Sequence, residues 1–395
     1  MGEAIRGEHL PELTGLRGVA ASLVWLYHTW TEAGSPPWAP VGIPLGWVAS
    51  AGWVGVDVFF VLSGFVMQWA WGDSAAWRRG TATWRDFATR RVLRILPAYY
   101  VQFAVLIALA WAVGFGPALR WGDLIAHAAL VHQFFPGFSQ SFNPVWWTLP
   151  LELQFYLVFP LLTLVAPRVG WRALVATAIG SSLLWRTAGL LAPSLIGATE
   201  LQRFVAMNQL PGRIDQFVLG MAVAHLCRGN RGEGGRRAVL FAGGGAAGGL
   251  LIAMALAPAR GAFGPWVDVP ATVLLGLLCA ATVWGAVRAG AVAKVLAARI
   301  PRFLGDISYS LYLWHVIVLW ALVSVNARHH FAGPTVLATL VGAPLVLTAS
   351  FCSWRWIEIP GMALRRRLPW TARRAGCGPG HDGRSAGFAP EHRRP

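Results

Sequence analysis

Arg17 and His28 stand eleven residues apart in Leu13–Trp30, LTGLRGVAASLVWLYHTW. At about 100° per residue that is close to three helical turns, so both side chains fall on nearly one face, ~16 Å apart along the axis. A charged arginine and a titratable histidine on one face of an apolar helix are costly in lipid. Two readings stand: Arg17 snorkels to an interface with His28 an incidental polar residue, or the two serve a reaction. A histidine becomes a general base when a carboxylate fixes its tautomer and stabilises the imidazolium. The chain offers Asp57 in GWVGVDVFFVLSGF and Glu152 in NPVWWTLPLELQFY. Trp146 and Trp147 mark a membrane interface, and Glu152 lies about one and a half turns deeper. His28, Asp57 and Glu152 are therefore the catalytic candidates, although Asp57 also suits an ordinary helix N-terminus.

Arg91 and Arg94, in RRVLRILPAYY, are three apart and share a helical face, with Arg90 beside them. Guanidinium forks suit phosphates, and the same residues suit a plain topology anchor. His315, in LGDISYSLYLWHVIVL, falls in mid-span, as a core histidine or as a functional one. Asp306 with Ser308 reads as a helix start, where capping is its expected job. Glu358, in WIEIP, is expected to pair with arginines at the inner face. Cys227, Cys279, Cys352 and Cys377 have no metal spacing and suggest no disulfide framework, so no metal is expected.

The elements that must position these residues are apolar helices. Of 395 residues, 56% are hydrophobic, 22 are Trp and only 13% are charged. A soluble chain of this size could not bury that much apolar surface with so few charges. The formal charge of +16 lies in short segments between apolar runs, which explains it by membrane orientation and leaves no call for nucleic acid. Lys294 is the only lysine, which fits GC-rich coding as much as chemistry. The first apolar stretch is long, lacks a small-residue cleavage site and reads as a retained span.

The expected fold is all-α, a polytopic bundle of about ten transmembrane helices. The spans fall near residues 13–30, 52–71, 95–114, 145–166, 172–192, 208–227, 238–257, 267–287, 303–325 and 334–356. The loop with Arg78, Arg79, Arg85, Arg90, Arg91 and Arg94 is the strongest positive-inside signal and is expected to be cytoplasmic. Pro97 would then occupy the first turn of the third span. Residues 121–142 either cross or re-enter from the outer face. The second option keeps every later basic loop inside, so both termini are cytoplasmic. The run AGGGAAGGL at 242–250 suits close helix packing better than a phosphate loop. The organisation expected is a leader at 1–12, one membrane domain at 13–360 and a basic, disordered tail at 361–395.

LTGLRGVAASLVWLYH, GWVGVDVFFVLSGF, RRVLRILPAYY, NPVWWTLPLELQFYLVFPLL, GRIDQFVLGM, LGDISYSLYLWH and WIEIP together resemble the acyltransferase 3 family of integral-membrane acyltransferases, over roughly residues 10–360. Each motif is weak alone; seven in order are specific. The resemblance implies a ten-helix fold and transfer of an acyl group, often acetyl, from cytoplasmic acyl-coenzyme A to a hydroxyl on a sugar or related acceptor. It places the family's Arg-x10-His on Arg17 and His28, its Arg-x-x-Arg on Arg91 and Arg94, its acidic residue after the Trp pair on Glu152, and its Gly-Val-Asp on Asp57. Many members carry an extracytoplasmic esterase-like domain, which this chain is not expected to have.

The reaction expected is acyl-coenzyme A-dependent O-acylation of a cell-envelope carbohydrate or glycolipid at the cell membrane. Arg91 and Arg94, helped by Arg90, would hold coenzyme A phosphates, with Arg17 between them and the core. His28 would act as general base or transient acyl carrier, oriented by Asp57 or Glu152. One rival is a tailoring O-acyltransferase of a macrolide or similar secondary metabolite. The other is a transporter or flippase, which the lack of visible inverted repeats disfavours.

Overall fold

A computed structural model describes residues 10–36, 45–72, 83–191, 199–229, 235–259, 265–329 and 340–364. These residues form helices and connecting turns, with no strand among them. In chain order they are α1 (Pro11–Glu32), α2 (Leu45–Ser50) and α3 (Val54–Met67), which runs on as a π turn over Gln68–Gly72. Then come α4 (Trp84–Val113), α5 (Trp121–Ala128), α6 (Thr148–Val169), α7 (Trp171–Leu191) and α8 (Glu200–Met207). Next are α9 (Leu210–Gly229), α10 (Gly235–Ala259), α11 (Pro265–Arg288), α12 (Gly290–Leu296) and α13 (Arg299–Asp306). The last are α14 (Ser308–His329) and α15 (Gly342–Ser353), followed by a π turn at Trp354–Glu358 and by α16 (Ile359–Ala363). The expected leader, the tail and the basic positions Arg78, Arg79, Arg231 and Arg365 to Arg367 lie largely or wholly outside the described residues.

Among the described residues seven helices are long and apolar enough to cross a membrane: α3 with its π continuation, α4, α6, α7, α10, α11 and α14. Their outward faces fit that solvent. On α6, Leu157, Leu161 and Leu164 repeat at helical spacing and are 69%, 59% and 57% exposed. An apolar stripe of that kind faces lipid rather than water. α1 and α9 have comparable lengths of 22 and 20 residues, yet they carry Arg17 and His28, and Arg213 and Asp215. Charge is not confined to these two, since Arg91 and Arg94 lie on α4 and Glu152 on α6.

Where lipid tails are as apolar as leucine, close backbone approach and dispersion replace the hydrophobic drive between helices. α3 crosses α9 with Gly64 against the Phe217 carbonyl and Gly220 against that of Val61, so a Cβ at either glycine would strike backbone. Around this crossing Phe155 stacks on Phe217 with ring centroids 4.2 Å apart, and Phe60 lies 5.0 Å from Phe217. The glycine run behaves as its composition suggests. A Cβ on Gly245 would sit 2.7 Å from the Leu278 carbonyl oxygen of α11, and Gly248 faces the Leu278 side chain.

Two expectations about boundaries change. α4 begins eleven residues before Ile95, because Thr83 and Asp86 form a reciprocal capping box there. Pro97 is therefore inside the helix rather than in its first turn. Its missing N–H leaves the Leu93 carbonyl without its helical donor, and Gly361 of α16 packs against Leu93 and the Pro97 ring. Asp306, expected to cap a following helix, is instead the last residue of α13; α14 starts two residues later at Ser308. Residues 121–142 fold as the eight-residue α5 and a 3-10 turn at His132–Phe134. At 1.5 Å per residue α5 is ~12 Å long, short of the ~30 Å hydrocarbon layer.

Candidate functional site

Arg17, Arg91 and Arg94 converge on one cavity of about 830 Å³ of empty space, counted with its open mouth. α1 meets α13 through Gly18, which faces backbone at Pro301 and Gly305. That close crossing sets Arg17 beside the start of α14, where its Nη2 donates to Ser308 Oγ at 3.2 Å. The early start of α4 keeps Arg91 and Arg94 on regular helix, three apart and on one face. The Arg91 guanidinium lies 5.7 Å from the centroid of the Tyr156 ring on α6. Arg90 points elsewhere, 5.3 Å from the Trp71 ring, and lines neither this cavity nor its neighbour.

Glu152 is on the same wall. It accepts from Ser63 Oγ at 2.9 Å and from the Tyr156 hydroxyl, and its charge acts on Arg17 and Arg91. A second cavity, of about 1150 Å³ of empty space counted with its open mouth, adjoins the first through Arg17, Val66 and Arg94 and adds Asp306, Trp354 and Glu358. Glu358 was expected to form an ion pair. Its close contact is instead a hydrogen bond from Ser310, while Arg94 and Arg17 act on it through space.

His28 is at the other end of α1 and lines neither cavity. The expected orienting carboxylate is absent from its ring. Asp57 is 1% exposed and bound to Arg213 Nη1 and Gln216 Nε2, both at 2.6 Å. Glu152 faces the arginines. The partner of His28 is His315, with Nε2 lying 3.1 Å from His28 Nδ1. The expectation failed because the relative rotation of α1, α3, α6 and α14 is not written in any one of their sequences. Tyr312 separates the two regions. It lines the first cavity, and its ring centroid is 6.0 Å from that of His315. Its hydroxyl donates to the Val145 carbonyl at 2.7 Å and also meets Thr148 Oγ1 at 2.9 Å.

The partners of Asp57 belong to a buried network that single-residue reading missed. Arg213 Nε donates to Asn208 Oδ1 at 2.8 Å, and Ser182 Oγ donates to Asp215 Oδ1 at 2.7 Å. Arg186 Nε donates to the Gly212 carbonyl at 2.7 Å and its Nη1 to Thr272 Oγ1 at 3.0 Å. The signal was present in GRIDQF, three polar residues within four positions of an otherwise apolar span. A third polar cluster surrounds α5. His127 Nδ1 is 2.9 Å from Asp123 Oδ1, and the His127 and His132 rings stack with centroids 4.1 Å apart. Burial, with the neighbouring His127 adding to it, pushes His132 down to about 3.

The arrangement can hold a multiply anionic molecule at the Arg17 end and supply imidazole at the His28 end. Residues 10–355 match the family described as "Acyltransferase domain". The chain is 30% identical to "Acyltransferase MdmB" of Streptomyces mycarofaciens over 78% of its own length and 79% of that protein's. It is 32% identical to "Exopolysaccharide production protein ExoZ" of Rhizobium meliloti (strain 1021), over 80% and 89% of the two chains. It is 25% identical to "Peptidoglycan O-acetyltransferase OatA" of Listeria monocytogenes, over 89% of this chain and 56% of that longer one. No solved structure matches the chain.

Proposed function

The chain belongs to the acyltransferase family matched over residues 10–355, and on that premise we propose that this membrane enzyme moves an acyl group, in the first instance acetyl, from cytoplasmic acyl-coenzyme A to a hydroxyl of a cell-envelope carbohydrate or glycolipid. The observation that carries the reading is the first cavity, where three arginines from two helices face a single glutamate. Excess cationic forks around empty space suit a phosphate-rich donor. The names of two relatives, one for exopolysaccharide production and one for peptidoglycan O-acetylation, support a carbohydrate acceptor.

In this proposal α1, α9 and α15 with its continuation join the seven apolar helices, giving ten spans in the cell membrane with both termini cytoplasmic. The Arg17 end then faces the cytoplasm. Arg91 and Arg94 hold the donor phosphates and Arg17 the next part of the molecule. Glu152, fixed by Ser63 and Tyr156, keeps Arg17 and Arg91 in place and does not orient His28. The ~16 Å rise from Arg17 to His28 resembles the reach of the pantetheine arm. The donor enters from the Arg17 end, the acceptor from the His28 end, and they meet at the Tyr312 wall. His28 Nε2 takes the acceptor hydroxyl proton as its oxygen attacks the thioester carbonyl. The C–S bond breaks, an ester forms, and the coenzyme A thiolate leaves and takes up the proton that His28 Nε2 carries, which returns the imidazole to its neutral form.

The test is transfer from radiolabelled acetyl-coenzyme A in membranes holding the protein, beside the His28→Ala variant. Label in polysaccharide or lipid-linked sugar, lost in the variant, is the expected result. Label confined to a small secondary metabolite would move the acceptor to the tailoring class. Full transfer by His28→Ala would remove the base, and acceptor movement without label would favour a transporter.

A further inference from the structure

The His28–His315 contact fixes where the protons are. His315 Nδ1 lies 2.9 Å from the Leu311 carbonyl oxygen. A carbonyl oxygen only accepts, so that nitrogen bears the hydrogen, and in the neutral ring Nε2 is left with a lone pair. His28 Nδ1 lies 2.9 Å from the Val24 carbonyl and 3.1 Å from His315 Nε2. Both of those neighbours are acceptors, so His28 Nδ1 carries the hydrogen and shares it between them. The two assignments come from opposite ends of the pair and agree. The proton of His28 is thereby kept off Nε2, which has no hydrogen-bond partner among the described residues.

We propose that His315 is a positioning residue that holds His28 in its Nδ1–H tautomer and presents Nε2 as the bare base, the role that a carboxylate fills in an Asp–His pair. The inference rests on His28 being the general base. When Nε2 accepts the acceptor's proton, His28 becomes an imidazolium whose Nδ1–H still points at the His315 lone pair. The charge is stabilised without a net negative group in the membrane interior. A carboxylate there would carry its own burial cost. A chain of backbone carbonyl, imidazole and imidazole uses only neutral groups in the resting state. His315 is 1% exposed, so the acceptor does not reach it directly.

Substitutions that keep or remove the acceptor separate this role from packing. In His315→Gln the amide oxygen stands near the Nε2 position and can accept from His28. His315→Leu fills the space with no acceptor. The expected result, per mole of monodisperse protein in detergent, is a kcat lowered about 100-fold or more in His315→Leu and retained within about 10-fold in His315→Gln. The KM for acetyl-coenzyme A should stay unchanged in both, because the arginines that bind it are elsewhere. The double variant His28→Ala/His315→Leu should be no slower than His28→Ala, since the two act as a unit. If His315→Leu does not accumulate, His315→Asn, whose amide stops near the Nδ1 position, takes its place with the same expected loss. Equal kcat in the acceptor-keeping and acceptor-lacking variants, at either level, overturns the proposal while His28→Ala remains inactive. Full activity in His28→Ala overturns the base reading itself, and the inference with it.

Discussion

Two groups of buried charge in this molecule differ in one respect. Around Asp57, two aspartates and two arginines (Asp57, Asp215, Arg186 and Arg213) are bound to one another or to neighbouring polar groups, and none lines either cavity. Around Arg17, three arginines share the wall of an open space with one carboxylate. Charge in a low-dielectric interior is tolerated when paired and hydrogen-bonded. Asp57 and Arg213 meet that condition as a direct ion pair, while Arg186 and Asp215 are held by neutral groups nearby, with Arg186 Nη2 and Asp215 Oδ2 left without a hydrogen-bond partner among the described residues. On the wall of the first cavity the second group leaves cationic valence over, Asp306 and Glu358 lining only the adjoining space, and that excess suits an anionic ligand. Balanced charge fastens helices together; unbalanced charge beside space binds something.

The largest effect should come from breaking the balanced group. Asp57→Leu leaves Arg213 as an uncompensated buried charge and should cost ~3–5 kcal/mol of stability, read by thermal unfolding in detergent. Asp57→Leu combined with Arg213→Met should recover most of it. A variant that stays stable but loses transfer would return Asp57 to the catalytic set. Acid should act next, through the cluster around α5. His132 is held near 3 against 6.5 for the free side chain. The unfolded chain therefore binds the proton that the folded one refuses. Stability is full above about pH 6.5 and falls as pH drops from there towards 3. His132→Phe should flatten that loss in melting temperature against pH.

Smaller effects sharpen the same contrast. Packing behind the balanced group depends on α10 lying close to α11. Gly245→Ala should destabilise by roughly 1–3 kcal/mol, since its Cβ meets backbone. Gly243→Ala, with open space around it, should gain up to about 1 kcal/mol through helix propensity. Glu152→Gln keeps a carbonyl for Ser63 and Tyr156 beside a space that admits water. It should cost only about 1 kcal/mol, far less than Asp57→Leu, and comparable losses would erase the distinction between the two groups.

Much of the architecture was legible because long apolar runs have one physical reading, and the Arg17 and Arg91/Arg94 pairs were legible because helical spacing puts each pair on one face. What lay beyond the sequence was rotation and register between helices. Carboxylate and imidazole are natural partners, so the sequence alone suggests Asp57 or Glu152 beside His28. The rotation of α14 brings His315 there instead, while α9 supplies Arg213 to Asp57. Arg90 reads like its neighbours Arg91 and Arg94, yet it packs on Trp71 because successive residues on a helix point ~100° apart. Pro97 is misleading for a local reason: a capping box at Thr83 and Asp86 begins the helix at Trp84, thirteen residues upstream.

The most direct test of the contrast is equilibrium binding of coenzyme A to the purified protein in detergent. The wild type, Arg91→Gln/Arg94→Gln and Gly243→Ala would be compared, with the last as a folded control. Binding should be salt-sensitive, weaken at least about 10-fold in the arginine variant, as expected when charge-assisted hydrogen bonds are lost, and stay unchanged in the control. Equal affinity in all three, or no binding by the wild type, would contradict the assignment of the Arg17 cavity to the donor.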